Sequence, residues 1–235
     1  MNILITGASK GIGYELVKKF AEDSSNQIVA VARNIDLLEN LKQECIQDFN
    51  NSIHICSIDF LSDSFLNDFN QILSKHNFSF DILINNAGLL FNQSFTLTTI
   101  EQIKNTFDVN FFRPFQIIQL IVSQIEKNKS CHVVNIGSMG GFQGSQKFPG
   151  LSIYSSSKAA LANLTECLAE EYKDSNITFN CLALGSVQTE MLKDAFPNYK
   201  AQLLPEQIAI FIKDFALNGS QYFNGKIIPI SISTP

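Results

Sequence analysis

The stretch Asn2-Ile3-Leu4-Ile5-Thr6-Gly7-Ala8-Ser9-Lys10-Gly11-Ile12-Gly13 decides the fold. Its apolar start runs straight into a turn with glycines at 7, 11 and 13, and a helical stretch opens near Ile12. An apolar run without polar alternation suits a strand buried on both faces, the condition of a parallel sheet with helices above and below. Glycines at a strand-to-helix turn permit a tight bend. They also let main-chain N–H groups and the helix N-terminus approach a phosphate closely. A left-handed turn without a ligand would account for such glycines too; their place directly after a strand favours the phosphate.

Outward from this turn the chain keeps alternating. Strands are expected at 2–6, 27–32, 53–58, 80–84, 131–137, 177–182 and 226–230, and helices at 12–22, 35–48, 62–76, 99–127, 153–173 and 205–218. Repeated βα units of this length imply right-handed crossovers and a doubly wound α/β fold. The expectation is a Rossmann-like, seven-stranded parallel sheet with helices on both faces, in one nucleotide-binding domain over residues 1–235. No internal repeat, low-complexity tract or linker interrupts it.

Composition narrows the function. Hydrophobic residues make up 45% of the 235 residues, enough for a sizeable core. A net charge of -5 argues against a nucleic-acid surface, although a single anionic cofactor can still be held locally. Five cysteines with no CxxC pair read as reduced thiols in a cytoplasmic protein, not as a disulfide framework or a metal site. His54, His76 and His132 lack metal spacing and read as ordinary loop or strand residues. No export signal precedes the first strand, and no apolar run reaches ~18 residues, so no membrane association is expected.

Further motifs follow the glycine turn in order. Asp59 closes the third strand, Asn85-Asn86-Ala87-Gly88 the fourth, and Ser138 the fifth. Asn110 lies in the long helix, and Tyr154-Ser155-Ser156-Ser157-Lys158 opens the next. Gly185, Val187 and Thr189 follow the sixth strand. Together with Thr6-Gly7-x-x-x-Gly11-x-Gly13 this set resembles the short-chain dehydrogenase/reductase family over almost the whole chain. The resemblance implies a catalytic group of Asn110, Ser138, Tyr154 and Lys158. It implies cofactor contacts from Gly7, Ser9, Lys10, Gly11, Ile12, Gly13, Arg33, Asp59, Asn86, Ala87, Gly88, Tyr154, Lys158, Gly185, Val187 and Thr189.

The chemistry suits hydride transfer. Tyr154 and Lys158 stand i, i+4, so they share one helix face. A carbonyl that accepts hydride needs a proton on its oxygen, and a phenol with a reference pKa of ~10 needs help to exchange one near neutrality. An ammonium beside it lowers that pKa. Ser138 can hydrogen-bond the developing oxyanion. By resemblance, Asn110 holds a water that links Lys158 to solvent, and Pro114 is suited to bending the helix there. Other readings stay open: Asn85 and Asn86 as backbone braces, Asp59 as a cap for the helix at 62–76, Phe111 and Phe112 as core or interface residues.

The end of the second strand bears on the cofactor. An acid there accepts a bond from a ribose hydroxyl, whereas an Arg pairs with a 2′-phosphate. Here Ala32 holds the acid's place and Arg33 follows, with Lys10 as a second cation, as in NADP-preferring members of the family. NADPH/NADP+ is therefore the expected cofactor, and the substrate a small carbonyl or alcohol. A 3-oxoacyl thioester is the family-level favourite. The competing reading is a non-catalytic NADPH-binding redox sensor, which would not require the complete Asn-Ser-Tyr-Lys set.

Some features depart from the family pattern. Leu184 stands where a proline usually precedes Gly185. Ser138 and Tyr154 lie farther apart than usual, so the segment 144–150 is enlarged. The stretch after Thr189 is short and predicts a small lid, and the tail lacks the usual Asp-Gly-Gly ending. Met139, Phe142, Gln143, Phe148, Val187 and Met191 are the expected pocket residues. The apolar content of 99–127 and 153–173, including Phe111, Phe112, Phe115, Ile117, Ile118, Ile121, Val122, Leu161, Leu164, Cys167 and Leu168, exceeds one buried stripe. It predicts a homodimer or homotetramer through these helices.

Overall fold

The computed structural model describes residues 1–75, 79–126 and 128–232. Within them β1 (Asn2–Thr6), β2 (Gln27–Ala32), β3 (His54–Ser57), β4 (Ile82–Asn85), β5 (Cys131–Ser138), β6 (Ile177–Leu184) and β7 (Lys226–Ile230) form one sheet. Its order is β3-β2-β1-β4-β5-β6-β7, and every pairing is parallel. The helices are α1 (Gly11–Ala21), α2 (Ile35–Phe49), α3 (Phe65–Lys75), α4 (Ile100–Phe107), α5 (Arg113–Val122), α6 (Ser152–Glu171), α7 (Glu190–Ala195) and α8 (Pro205–Asn218). This is the expected doubly wound, Rossmann-like α/β architecture.

The period of two in β1 sorts its side chains between two cores. Ile3 and Ile5 join Leu16 and Phe20 of α1, Leu41 of α2 and Ile212 of α8. Leu4 joins Phe65 and Phe69 of α3 and Ile117 and Ile121 of α5 on the other face. Phe20, Phe65, Phe69 and Phe179 are fully buried, each contributing about 1.5–3 kcal/mol of transfer free energy. The strand order reverses between β1 and β4. A doubly wound sheet opens its ligand crevice there, beyond the carboxyl ends of the strands. Thr6, Asn85, Ser138 and Leu184 end the four strands that border it.

The helix expected at 99–127 is divided. α4 stops at Phe107, residues 108–112 wind as a π-turn, and α5 resumes at Arg113. The Arg113 N–H donates to the Asp108 carbonyl five residues back. Pro114 supplies the cause: it has no N–H to give the carbonyl of Asn110, so the α ladder slips. Residue 127 lies outside the described residues, as does His76 at the end of the expected helix 62–76. α3 begins only at Phe65, because residues 59–65 form turns in which Ser62 N–H donates to Asp59 O and Phe65 N–H to Ser62 O. β3 is shorter than 53–58 and β6 longer than 177–182.

α7 falls in the short stretch expected to form a small lid, where no helix is read from the sequence. Thr189 is its N-cap, and its hydroxyl accepts from Leu192 N at 3.2 Å, a local arrangement that favours a helix start.

Candidate active site

The glycine turn is built against β4. Gly7 and Gly11 have φ of +67° and +55°, a left-handed backbone that favours glycine. A Cβ on Gly7 would lie 2.8 Å from Ala87 Cα, and one on Gly13 would lie 2.2 Å from Gly7 O. Thr6 Oγ1 accepts from the N–H groups of Asn86 and Ala87 at 3.0 and 3.1 Å. Asn86 Nδ2 returns bonds to the carbonyls of Thr6 and Gly7 at 3.0 and 3.2 Å. The Asn86 side chain thus braces the turn, whereas Asn85 Nδ2 donates to Asn135 Oδ1 and ties β4 to β5. Ser9 and Ile12 are half-buried beside the turn. Lys10, at the N-cap of α1, offers no side-chain cap, and the first turn of α1 carries no acid. The initial N–H groups of α1 are therefore left for an anion, and the glycine cradle fits a pyrophosphate.

At the edge of this cradle Ala32 is buried and Arg33 is exposed at the end of β2. Asp59 is half-buried, and its Oδ1 accepts from Leu61 N at 3.0 Å. It caps a turn before α3, not α3 itself.

The four residues of the expected catalytic group come together at the ends of β4 and β5. Lys158 is buried in the first turns of α6, and its ammonium donates to Ile136 O at 2.8 Å. Burial lowers its pKa to about 8, while Cys181 acts in the opposite sense. Tyr154, one turn earlier, has its pKa raised by burial, against which a hydrogen bond with Ser138 acts. Asn110 Nδ2 donates to Leu89 O at 2.8 Å and Ser157 Oγ at 3.0 Å, and its Oδ1 accepts from Leu89 N at 2.7 Å. Its carboxamide therefore fastens the chain beyond Gly88 to α6. Gly88 is the meeting point: a Cβ there would lie 3.6 Å from Asn110 Oδ1 and 3.7 Å from both Lys158 Nζ and Met191 Cε.

Beyond β6, Gly185 packs on Ser231, with its Cβ position 2.5 Å from Ser231 Oγ. Val187 is buried in the core, so its side chain is a core residue and not the pocket wall expected, and only its main chain can serve a cofactor. Thr189 Cγ2 lies 3.3 Å from a Cβ position on Gly11, which brings the 185–189 stretch onto the glycine turn. Of the other expected pocket residues, Met139 is buried, Phe142 half-buried, and Gln143, Phe148 and Met191 exposed.

Several positioning residues carry little local signal. Gly141 lets the 3-10 turn after Ser138 lie against α6, where a Cβ would meet Ala159 N and Lys158 C at 2.7 Å. Cys181 sits on β6 near Lys158, and a Cβ on Gly137 would come within 2.6 Å of its Sγ. Ser157 joins Asn110 to α6. The doubled glycine at 140–141 is the one sign of this packing in the sequence. Among the described residues no helix is long and apolar enough to cross a membrane, and no group of His, Cys, Asp and Glu could hold a metal ion.

Known proteins share this fold. A 3-oxoacyl-[acyl-carrier-protein] reductase of Chlamydia muridarum is 26% identical, over 97% of this chain and 94% of its own. The structure of a 4-hydroxyisoleucine dehydrogenase mutant complexed with NADH and succinate superposes with a TM-score of 0.85 at 25% identity, covering 98% of this chain and 96% of the other. A short-chain dehydrogenase of Escherichia coli CFT073 complexed with NADPH gives 0.87 at 24% identity, covering 97% and 95%, a likeness of fold. The short chain dehydrogenase family model matches residues 1–200, a span that holds the glycine turn and the four residues Asn110, Ser138, Tyr154 and Lys158. The chain belongs to the short-chain dehydrogenase/reductase family of oxidoreductases.

Proposed function

We propose that the chain uses NADPH to reduce a ketone or aldehyde. The observation that carries this reading is the convergence of Lys158 Nζ and the Asn110 carboxamide on Gly88, beside the Tyr154–Ser138 pair. The glycine turn would hold the pyrophosphate, and Gly185, the main chain at Val187, and Thr189 would face the nicotinamide end. The bound cofactor supplies the hydride. Tyr154 keeps its proton at neutral pH because burial raises its pKa, the state a proton donor to a carbonyl oxygen requires. Ser138 orients that phenol and offers its hydroxyl to the developing oxyanion. Lys158 can replenish the phenol's proton. The carbonyl of Asn110, deprived of its helical donor by Pro114, is a place for a water that links Lys158 to solvent. Asp59, with one carboxylate oxygen outside its turn bond, would meet the adenine end.

Arg33 favours the phosphorylated cofactor. A guanidinium–phosphate bond contributes about 1.5–3 kcal/mol, roughly a 10- to 100-fold preference. Met191 reaches the Gly88 position, and with Phe142 and Phe148 it would suit a partly apolar substrate. A 3-oxoacyl thioester is the candidate supported by the Chlamydia muridarum relative. A panel of 3-oxoacyl thioesters, ketones and aldehydes, followed by NADPH absorbance, tests the reaction. No consumption with any carbonyl would remove it.

The apolar helices divide between two surroundings. Ile117, Ile118, Ile121 and Leu161 are buried within the chain, whereas Phe112 and Phe115 are 50% and 41% exposed, with Phe111 against both. The exposed phenylalanines support a homodimer or homotetramer through α5 and α6. A light-scattering mass equal to the 26.2 kDa chain would reject the assembly.

A further inference from the structure

Lys10 and Glu190 are far apart in sequence, yet Lys10 Nζ lies 2.6 Å from Glu190 Oε2. Lys10 belongs to the glycine turn, and Glu190 is the first residue of α7. The rest of α7 follows the ion pair across the cleft. Thr189 touches the turn at Gly11, and Met191 Cε reaches the Gly88 position beside Lys158. At the far end Asn92 Nδ2 donates to Ala195 O at 2.7 Å. α7 therefore spans from the phosphate cradle to the loop after β4.

The pair sets two anions in competition. A cofactor phosphate near the turn gains from the Lys10 ammonium, but Glu190 already holds it. If the phosphate draws Lys10 away, α7 loses its tie to the turn. If Lys10 stays, the phosphate meets the Glu190 carboxylate at close range. Either way Glu190 opposes the binding of a phosphate at this edge, and more strongly when the phosphate carries two charges. We propose that the Lys10–Glu190 pair is a latch that holds α7 across the cleft, and that Glu190 sets NADPH affinity because the 2′-phosphate must take Lys10 from it. This rests on NADPH as the cofactor.

Both side chains are exposed, at 57% and 65%, so the effect is modest, as for other surface ion pairs. Fluorescence titration of the purified chain with NADPH and NADH gives one readout. E190Q should tighten NADPH about 3-fold and shift NADH less than about 2-fold. K10Q should weaken NADPH, and in the K10Q/E190Q double variant the gain from E190Q should vanish, as coupled residues require. Hydrogen exchange on the cofactor-free chain gives the second. The amides of 190–196 should exchange faster in E190Q and K10Q than in the wild type, and added salt should speed the wild type alone. Unchanged NADPH affinity in E190Q, or a gain that survives K10Q, overturns the gate. Equal exchange at 190–196 in all chains overturns the latch. A wild type that binds neither nucleotide while E190Q loosens α7 leaves the latch standing and refutes the cofactor reading, and with it the gate.

Discussion

The two walls of the cleft are built differently. On the β5–α6 wall, Lys158, Asn110 and Ser138 are each held by partners inside the protein: Ile136 O, Leu89 and Ser157, and the Gly140 N–H. Asn110 and Lys158 are buried. On the opposite side, Val187 and Leu203 anchor the segment in the core, but the α7 stretch between them is tied by exposed contacts: Lys10–Glu190, Asn92 to Ala195 O, and Ser186 with Tyr199. Buried hydrogen-bonded groups in low dielectric are costly to displace, whereas exposed pairs contribute little. On the proposed reading the chemistry is set in a preorganised wall, and access is left to a lightly held cover. Changes in the first should alter rate or stability sharply; changes in the second should alter binding by small factors.

The strongest way to break this contrast is Tyr154→Phe. Loss of the proton donor should lower kcat about 100- to 10,000-fold, with NADPH affinity retained because the ring still fills its site. Near-normal kcat on a reduced carbonyl would show that the wall is not where the proton comes from.

Lys158→Met tests the cost of that wall. Burial lowers the Lys158 pKa to about 8, below the ~10.5 of an unfolded lysine. Both states are neutral above ~10.5. As pH falls from ~10.5 to about 8 the unfolded chain gains the proton first, so folding is penalised, and below about 8 the penalty is complete. The shift corresponds to about 3 kcal/mol. The cofactor-free variant should therefore be more stable than the wild type in urea at pH 7, with the gap narrowing toward pH 10, and it should be inactive. A less stable variant at pH 7 would mean that Lys158 is a structural asset.

Arg33→Ala should weaken NADPH about 10- to 100-fold and leave NADH nearly unchanged. Equal losses for the two nucleotides, measured by fluorescence titration, would assign Arg33 to the fold. Gly141→Ala should follow in size. Its Cβ would press on the backbone of Lys158 and Ala159 at 2.7 Å, which should cost about 1–3 kcal/mol and lower kcat, because α6 must move away from Ser138. Asn92→Ala, on the cover, should change stability by less than about 1 kcal/mol. If denaturation curves show Asn92→Ala to be the more damaging of the two, the distinction between wall and cover fails.

The legible part of the molecule was the part written locally. Apolar runs such as Ile28-Val29-Ala30-Val31 mark buried strands because a strand covered on both faces needs apolar residues in succession. The glycine turn and the Tyr154–Lys158 pair were legible because left-handed backbone, close approach and one helix face each demand given residue types at given spacings; Asn85-Asn86-Ala87-Gly88 was legible only through its resemblance to the family's segment. Pro114 announced a bend. That the bend would be a π-turn ending one helix at Phe107 and starting another at Arg113 depended on how the freed ladder packs against α6. α7 was missed because a single capped turn of six residues carries too short a pattern to stand out.

By itself, then, the sequence determined a doubly wound parallel sheet and its glycine turn, because each follows from short-range periodicity or backbone geometry, while the candidate catalytic group came from the resemblance of its ordered motifs to a known family. Only the tertiary structure decided what surrounds them. It placed Ile136 O on the Lys158 ammonium, Cys181 close to Lys158, the Asn110 carboxamide on Leu89, and Glu190 on Lys10. Those contacts join residues from different elements, and their energies depend on burial and on distances that exist only once the sheet has assembled. No local pattern encodes them.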